Sequence, residues 1–153
     1  MLLLVRLTLL ILIFAGCDST INASRLDNDL ANTTWIFERA ETDDGDVSGA
    51  SVSSRTTDIN FGGRDDNADT YSVSGYNGCN AFSGKYDVDG SEIVFTQMLQ
   101  TERACQEHEA RIEEVFNRGI LNARSFSIDG DQLVIDAPSQ SVKLRLNRLT
   151  TEE

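Results

Sequence analysis

Ser74-Gly75-Tyr76-Asn77-Gly78-Cys79-Asn80-Ala81-Phe82-Ser83-Gly84-Lys85-Tyr86 is the stretch on which a reading of the fold turns. Asn77-Gly78 is a strong signal for a tight hairpin turn. Gly75, Gly78 and Gly84 permit positive backbone dihedrals or a close approach of chains. The Asn80 side chain can bond neighbouring backbone and hold the turn, and Phe82 and Tyr86 then point toward a core. Every residue in the run has a structural use, and none needs a catalytic role to explain it.

Outward from this hairpin the chain alternates with a period of two. Toward the N-terminus, Tyr71 and Val73 mark one strand. Ile59 and Phe61 mark another, which Gly62-Gly63 is expected to stop. Thr34 to Glu38 forms a third, with Trp35 and Phe37 on one face. Between the last two lies an acidic loop, Glu41 to Ser54. Toward the C-terminus, Tyr86 and Val88 are followed by an Asp89-Gly90 turn and a returning strand with Ile93 and Phe95. The pairs Phe126/Ile128 and Leu133/Ile135 and the triplet Val142/Leu144/Leu146 give three more strands. These turn at Asp129-Gly130 and at Ala137-Pro138-Ser139, where the sole proline stops a strand. Ile112, Val115, Phe116, Gly119, Ile120 and Ala123 instead recur at three and four, predicting one amphipathic helix over Gln106–Ala123. Glu107 and Glu109 favour its positive end, and Arg118 lies toward the other. The expected fold is α+β, mainly β: a curled antiparallel sheet or small barrel of about eight strands packed with one α-helix.

The same residues resemble a known family. Gly78-Cys79-Asn80 with Phe82, Gly84 and Tyr86, the later Thr101-Glu102-Arg103-Ala104-Cys105, and the opening Leu30-Ala31-Asn32-Thr33-Thr34-Trp35 are similar to the META domain, which includes HslJ-like heat-shock lipoproteins. The resemblance spans residues 30–149. In that family the second motif usually reads Thr-Arg-Met-x-Cys, so Glu102 here displaces the arginine by one place. The resemblance implies a compact β-rich domain with one helix, exported and often lipid-anchored. Its members are associated with heat shock and, in some bacteria, tolerance of novobiocin. It brings no enzymatic activity, cofactor or catalytic residue; Trp35, Gly78, Asn80, Phe82, Gly84, Tyr86 and Thr101 are its structural motif.

The N-terminus sets the expected compartment. Leu7 to Phe14 is apolar, preceded by Arg6, and ends at Ala15-Gly16-Cys17. A spanning helix needs about 20 apolar residues, so this shorter run reads as a signal peptide over residues 1–16. The junction resembles a bacterial lipobox, with Phe14 where leucine is usual. That likeness implies acylation of Cys17, with residues 17–29 as a polar tether. The domain is then anchored in the cell envelope and faces the periplasm. Asp18 favours the inner membrane, with the outer membrane as the alternative.

With Cys17 acylated, Cys79 and Cys105 remain as an even pair in an oxidising compartment, predicting a disulfide. On the chain-entropy model that closure stabilises the fold by roughly 3.5 kcal/mol. The full chain of 153 residues carries 13 basic and 25 acidic side chains, a formal charge of −12. Such a surface excludes nucleic acid and anionic headgroups as direct partners. Sharper chemistry finds little support. Cys105 and His108 sit three apart at a helix start, but the disulfide removes the thiol a nucleophilic pair requires. Those two with Cys79 fall short of a zinc set. Asp65, Asn67 and Asp69 have a calcium-loop rhythm, yet Thr70 and Tyr76 stand where such a loop needs glycine and glutamate. No metal or cofactor is expected, and no enzyme. Two readings stay open: a stress-related lipoprotein that binds an envelope protein partner, and a module binding a small hydrophobic ligand within a cavity lined by Trp35, Phe37, Tyr71, Tyr86 and Phe95.

Overall fold

Alternating apolar side chains bend the sheet around themselves until its first and last long strands meet. The computed structural model describes residues 29–49, 55–65 and 70–150. Cys17 with its lipobox, Asp18, and the signal and tether segments all lie outside these described residues. Among them, nine strands, one long α-helix and a single 3-10 turn follow in the order β1 (Thr33–Thr42), β2 (Val47–Ser48), β3 (Asp58–Asp65), β4 (Thr70–Tyr76), β5 (Ala81–Asp89), β6 (Glu92–Gln100), α1 (Glu107–Leu121), β7 (Ser125–Asp129), β8 (Gln132–Ala137), the 3-10 turn Pro138–Gln140 and β9 (Val142–Arg148). Each long strand pairs antiparallel with its neighbour in the sheet, and β1 pairs with β9 to close the ring. The short β2 flanks β1 at Arg39↔Ser48 and Ala40↔Val47, beyond the residues that β3 occupies. The expected curled, mainly β fold with one helix is therefore present.

Three local departures from the expected pattern have physical causes. Strand β2 is a ninth strand inside the acidic stretch read as loop; Val47 is its sole apolar residue, too little to create an alternating signal. Strand β1 runs four residues past Glu38, because a register shift between Phe37 and Arg39 lets Phe37 and then Ala40 both face inward. Strand β3 does not stop at Gly62-Gly63. The pair forms an irregularity between Phe61 and Arg64, after which pairing with β4 resumes to Asp65. Such bulges bend a strand and sharpen its twist, which a small closing ring requires.

The buried side chains form one hydrophobic cluster. Trp35, Tyr86, Phe61, Phe116, Ile59, Ile93, Leu133, Ile135, Leu144 and Leu146 are fully buried. The helix lays Ile112, Val115, Phe116, Gly119 and Ile120 against this interior. Gly119 is needed there: a Cβ on it would sit 2.7 Å from Leu144 Cδ1. Each large aliphatic or aromatic side chain so buried is worth about 1.5–3 kcal/mol of transfer free energy.

Candidate functional site

The turn between β4 and β5 forms at the expected Asn77-Gly78, and the side chain that holds it is that of Asn77 rather than Asn80. Asn77 Oδ1 accepts the N–H groups of Cys79 at 3.2 Å and Asn80 at 2.7 Å, and Asn77 N–H donates to the Asn80 carbonyl at 3.0 Å. This is a side chain standing in for a turn of backbone. Asn80, expected to hold the turn by bonding neighbouring backbone, instead bonds side chains: its Oδ1 accepts from Thr101 Oγ1 at 2.9 Å, and its Nδ2 donates to Glu113 Oε1 at 3.0 Å and to Cys79 Sγ at 3.3 Å. Gly78 has φ +102°, and a Cβ there would approach Ile112 Cγ2 to 2.6 Å. Both the turn and the helix seated on it therefore exclude a side chain.

Around that turn a polar cluster ties three elements together. Asn77 Nδ2 donates to Asn117 Oδ1 at 3.0 Å and Gln100 Oε1 at 3.1 Å, Gln100 Nε2 donates to Glu113 Oε1 at 3.0 Å, and Asn117 Nδ2 donates to Gln100 Oε1 at 3.0 Å. Asn77 and Asn80 are buried, and a buried amide without partners would cost roughly 1–3 kcal/mol. The Cys79–Cys105 disulfide lies beside this cluster and fastens the turn to the segment entering α1. Glu109 accepts the Gln106 N–H at 3.3 Å and caps that entry.

Six of the motif positions thus gather in one place: Gly78, Cys79, Asn80, Phe82, Thr101 and Cys105. Phe82 leans on Phe116 with centroids 5.7 Å apart. Gly84 sits opposite the irregular part of β6, where a Cβ would strike Met98 Sδ. Trp35 and Tyr86 belong elsewhere. Trp35 closes the β1–β9 contact, with its Nε1–H given to Thr33 Oγ1 at 2.7 Å and the Arg148 guanidinium 4.3 Å above its ring. Tyr86 stacks on Tyr71 at 5.0 Å and meets Phe61 edge-on at 5.0 Å, and its hydroxyl donates to the Gly62 carbonyl at 3.3 Å. Phe95 tilts against Tyr86 at 6.3 Å, and Phe37 meets Phe116 edge-on at 5.6 Å. Of the aromatic rings considered as a cavity lining, Phe37, Tyr71, Tyr86 and Phe95 pack on one another or on the helix, and Trp35 is fully buried with Arg148 over its ring.

Beside the polar cluster lies a groove of about 220 Å³ between the end of β6 and α1. Phe82, Met98 and Ile120 line it, and Leu99 and Leu121 stand at it with 73% and 59% of their surface exposed. Gln100 and Asn117 supply its polar edge. Sequence reasoning passed over Gln100, Glu113 and Asn117. The one available signal was Glu113 and Asn117 at i, i+4 on the rim of the helix's apolar face.

Charge elsewhere is arranged on the outside of the ring. Arg145 bonds Glu41 across β9 and β1, holding the Glu41 carboxyl below the usual glutamate range, and Arg145 is raised in return by the same bond. Arg39 adds contacts to Glu38 at 2.7 Å and Glu41 at 3.1 Å. Asp58 goes the other way. Burial lifts its carboxyl above the ordinary aspartate value, opposed by the charge of Arg55 and by the Tyr76 N–H. Asp58 Oδ1 has no hydrogen-bond partner among the described residues. His108 is exposed, and Cys105 Sγ is bonded to Cys79 rather than free for a nucleophilic pair. Among the described residues no three His, Cys, Asp or Glu side chains gather as a metal site. Asn67 and Asp69 lie outside them, as does the side chain of Asp65.

A closed antiparallel ring plugged by one helix, with a Gly-Cys-Asn turn bridged by disulfide to the helix entry, defines a class of small β-rich domain. The chain matches the META domain model over residues 28–149 and belongs to that family. Among solved structures it is similar to a protein from Burkholderia xenovorans determined by NMR, with 17% identity, a TM-score of 0.65, and coverage of 83% of this chain and 88% of that one. It is also similar to a DUF4847-family protein from Bacteroides vulgatus, with 10% identity, a TM-score of 0.53, and coverage of 83% and 99%. These likenesses are of fold. Comparison with curated proteins gives no match.

Proposed function

We propose that this chain is a non-enzymatic, lipid-anchored envelope protein that acts by binding a protein partner, in a stress response of the heat-shock or antibiotic-tolerance kind. One observation carries the reading: two large apolar side chains, Leu99 and Leu121, stand exposed at one groove in an otherwise acidic protein. Apolar surface gathered in one place and rimmed by polar groups marks a contact site. The Ala15-Gly16-Cys17 junction supports the anchor, and an anchor confines the domain to encounters at a membrane. Asp18 supports the inner membrane, with the periplasm as the space the domain faces. The family's association with stress supports the setting.

The competing carrier reading requires an interior cavity, and the aromatic packing described above does not favour it. The test is crosslinking in cells of the full chain, with mass-spectrometric identification of what it holds and a Cys17→Ala chain as the unanchored control. The expected result is a reproducible envelope protein captured by the anchored chain and lost from the control. Capture no greater than the control's would overturn the reading.

A further inference from the structure

Strand β6 is bonded along its whole length on one side and only at its start on the other. β5 pairs with it from Asp89↔Glu92 to Phe82↔Gln100. β7 pairs with it at Glu92↔Ser125 alone, joined by the Ile93 N–H to the Arg124 carbonyl at 3.2 Å and the Phe126 N–H to the Ser91 carbonyl at 2.9 Å. Peptide groups along a strand face alternate edges. The Phe95 N–H and C=O therefore face the same way as those of Ile93, past the point where β7 ends its pairing. From there to Gln100, among the described residues, no strand lies alongside. Proteins usually guard such an edge with lysine, proline or inward charge. Here Ile93 to Thr101 contains neither charge nor proline, in a chain with 25 acidic and 13 basic side chains. A left-handed Gln97 (φ +51°) offsets the pairing with β5, after which Met98 lies at the groove and Leu99 stands outward.

We infer that the β6–α1 groove receives an extended segment of a partner protein, laid along the β6 edge, with a large apolar side chain seated between Leu99 and Leu121 and basic residues at the segment's ends. This rests on the partner-binding reading above and names the chemistry of the partner. The edge offers main-chain hydrogen bonds and the groove a side-chain pocket, the two elements of strand addition. With the cluster's bonds counted, Gln100 and Asn117 each keep one amide N–H to give, and Asn117 Oδ1 keeps one acceptor position. Glu92 stands before the neutral run and Glu102, followed by Arg103, after it, in a chain of formal charge −12, which selects basic flanks on the partner. A second copy of this chain fits poorly. Antiparallel pairing of β6 with itself about Gln97 would set Glu92 of one copy beside Glu102 of the other, and both copies carry −12.

The probe is a fluorescent nonapeptide alternating apolar residues with threonine around a central leucine, with lysines at both ends. It is titrated against the full chain in detergent, and hydrogen exchange of the β6 amides is followed. Binding should saturate, slow exchange over Val94–Gln100, and weaken by about tenfold or more for Leu99→Asp, for Leu121→Asp and for a glutamate-flanked peptide. A peptide with methylated backbone nitrogens should fail in the same way. Both leucines are exposed, so thermal unfolding of the variants should be unchanged. Absence of saturable binding, equal binding of the methylated peptide, or protection away from β6 would each overturn the groove assignment. The two readings separate in cells. A partner still captured by the Leu99→Asp chain preserves partner binding and removes the groove. No captured partner, with the peptide nonetheless bound at β6, removes the cellular reading and keeps the groove.

Discussion

The ring has two unlike seams. At β1–β9 seven residue pairs run from Trp35↔Arg148 to Thr42↔Val142, backed by the guanidinium over Trp35 and by Arg145 on Glu41. At β6–β7 a single pair, Glu92↔Ser125, holds the sheet together before the strands part. The first seam joins segments about a hundred residues apart in sequence, whose contact is repaid only when the core forms. The second joins segments separated by the helix and its lead-in, and its pairing stops after one residue pair. Residue pairs and charged contacts are concentrated at one seam. Exposed apolar surface and free backbone are concentrated at the other, which is where binding is proposed.

That contrast breaks most directly at Trp35. Trp35→Ala removes a fully buried ring from the closed seam, along with its stacking under Arg148 and its N–H bond to the Thr33 hydroxyl. A loss of roughly 3–5 kcal/mol is expected for such a truncation, read as a lower urea midpoint. Equal tolerance of Trp35→Ala and Leu99→Asp would mean the two seams do not differ in the way described.

The disulfide tests the other side. Cys79 and Cys105 hold the turn and the helix entry beside the loosely paired seam. Replacing both by alanine should cost about 2–4 kcal/mol. Because the polar cluster still links Asn77, Gln100 and Asn117, the ring should stay closed at β1–β9. Amide exchange should accelerate first around Asn77–Asn80 and Gln100–Gln106, and uniform acceleration would place the bridge in the global core instead.

How much of this was legible follows the same division. The strands of the closed ring announce themselves by alternation, since each buries one face: Ile59/Phe61, Leu133/Ile135, Val142/Leu144/Leu146. Alternation fails where the backbone changes register. The bulges after Phe37 and Phe61 let inward residues fall out of phase, so β1 looked short and β3 looked stopped. The disulfide was legible once Cys17 was assigned to lipid, which leaves Cys79 and Cys105 as an even pair in an oxidising compartment. The polar cluster was not, because Asn77, Gln100, Glu113 and Asn117 meet only after the turn, β6 and α1 converge. Nothing local distinguishes such amides from surface ones. The open edge was equally hidden: Ile93 and Phe95 read as an ordinary strand, and only the ring's topology leaves one side of β6 without a strand partner among the described residues.

The smallest expected effect belongs to Asp58, where β3 enters between the two regions by pairing with Ile36 of the closed seam's β1 and with Tyr76 beside the turn. Burial raises its carboxyl above the ordinary value, while Arg55 and the Tyr76 N–H pull against that shift. An aspartate with a raised folded pKa binds its proton more tightly folded than unfolded. Stability is thus favoured below the unfolded value, about 3.9, and declines as pH rises through the higher folded value. Above that window the charged carboxylate, with Oδ1 unpartnered, remains a cost. Asp58→Asn should remove this decline and leave the variant more stable at neutral pH by less than roughly 1 kcal/mol. Other carboxylates titrate in the same range, so the quantity to read is the difference between the variant and parent stability curves from acid to neutral pH. A difference that grows with pH and then levels places the carboxylate in a dry junction between β1, β3 and β4. Parallel curves would mean that water reaches Asp58 and that this junction is as open as the β6 edge.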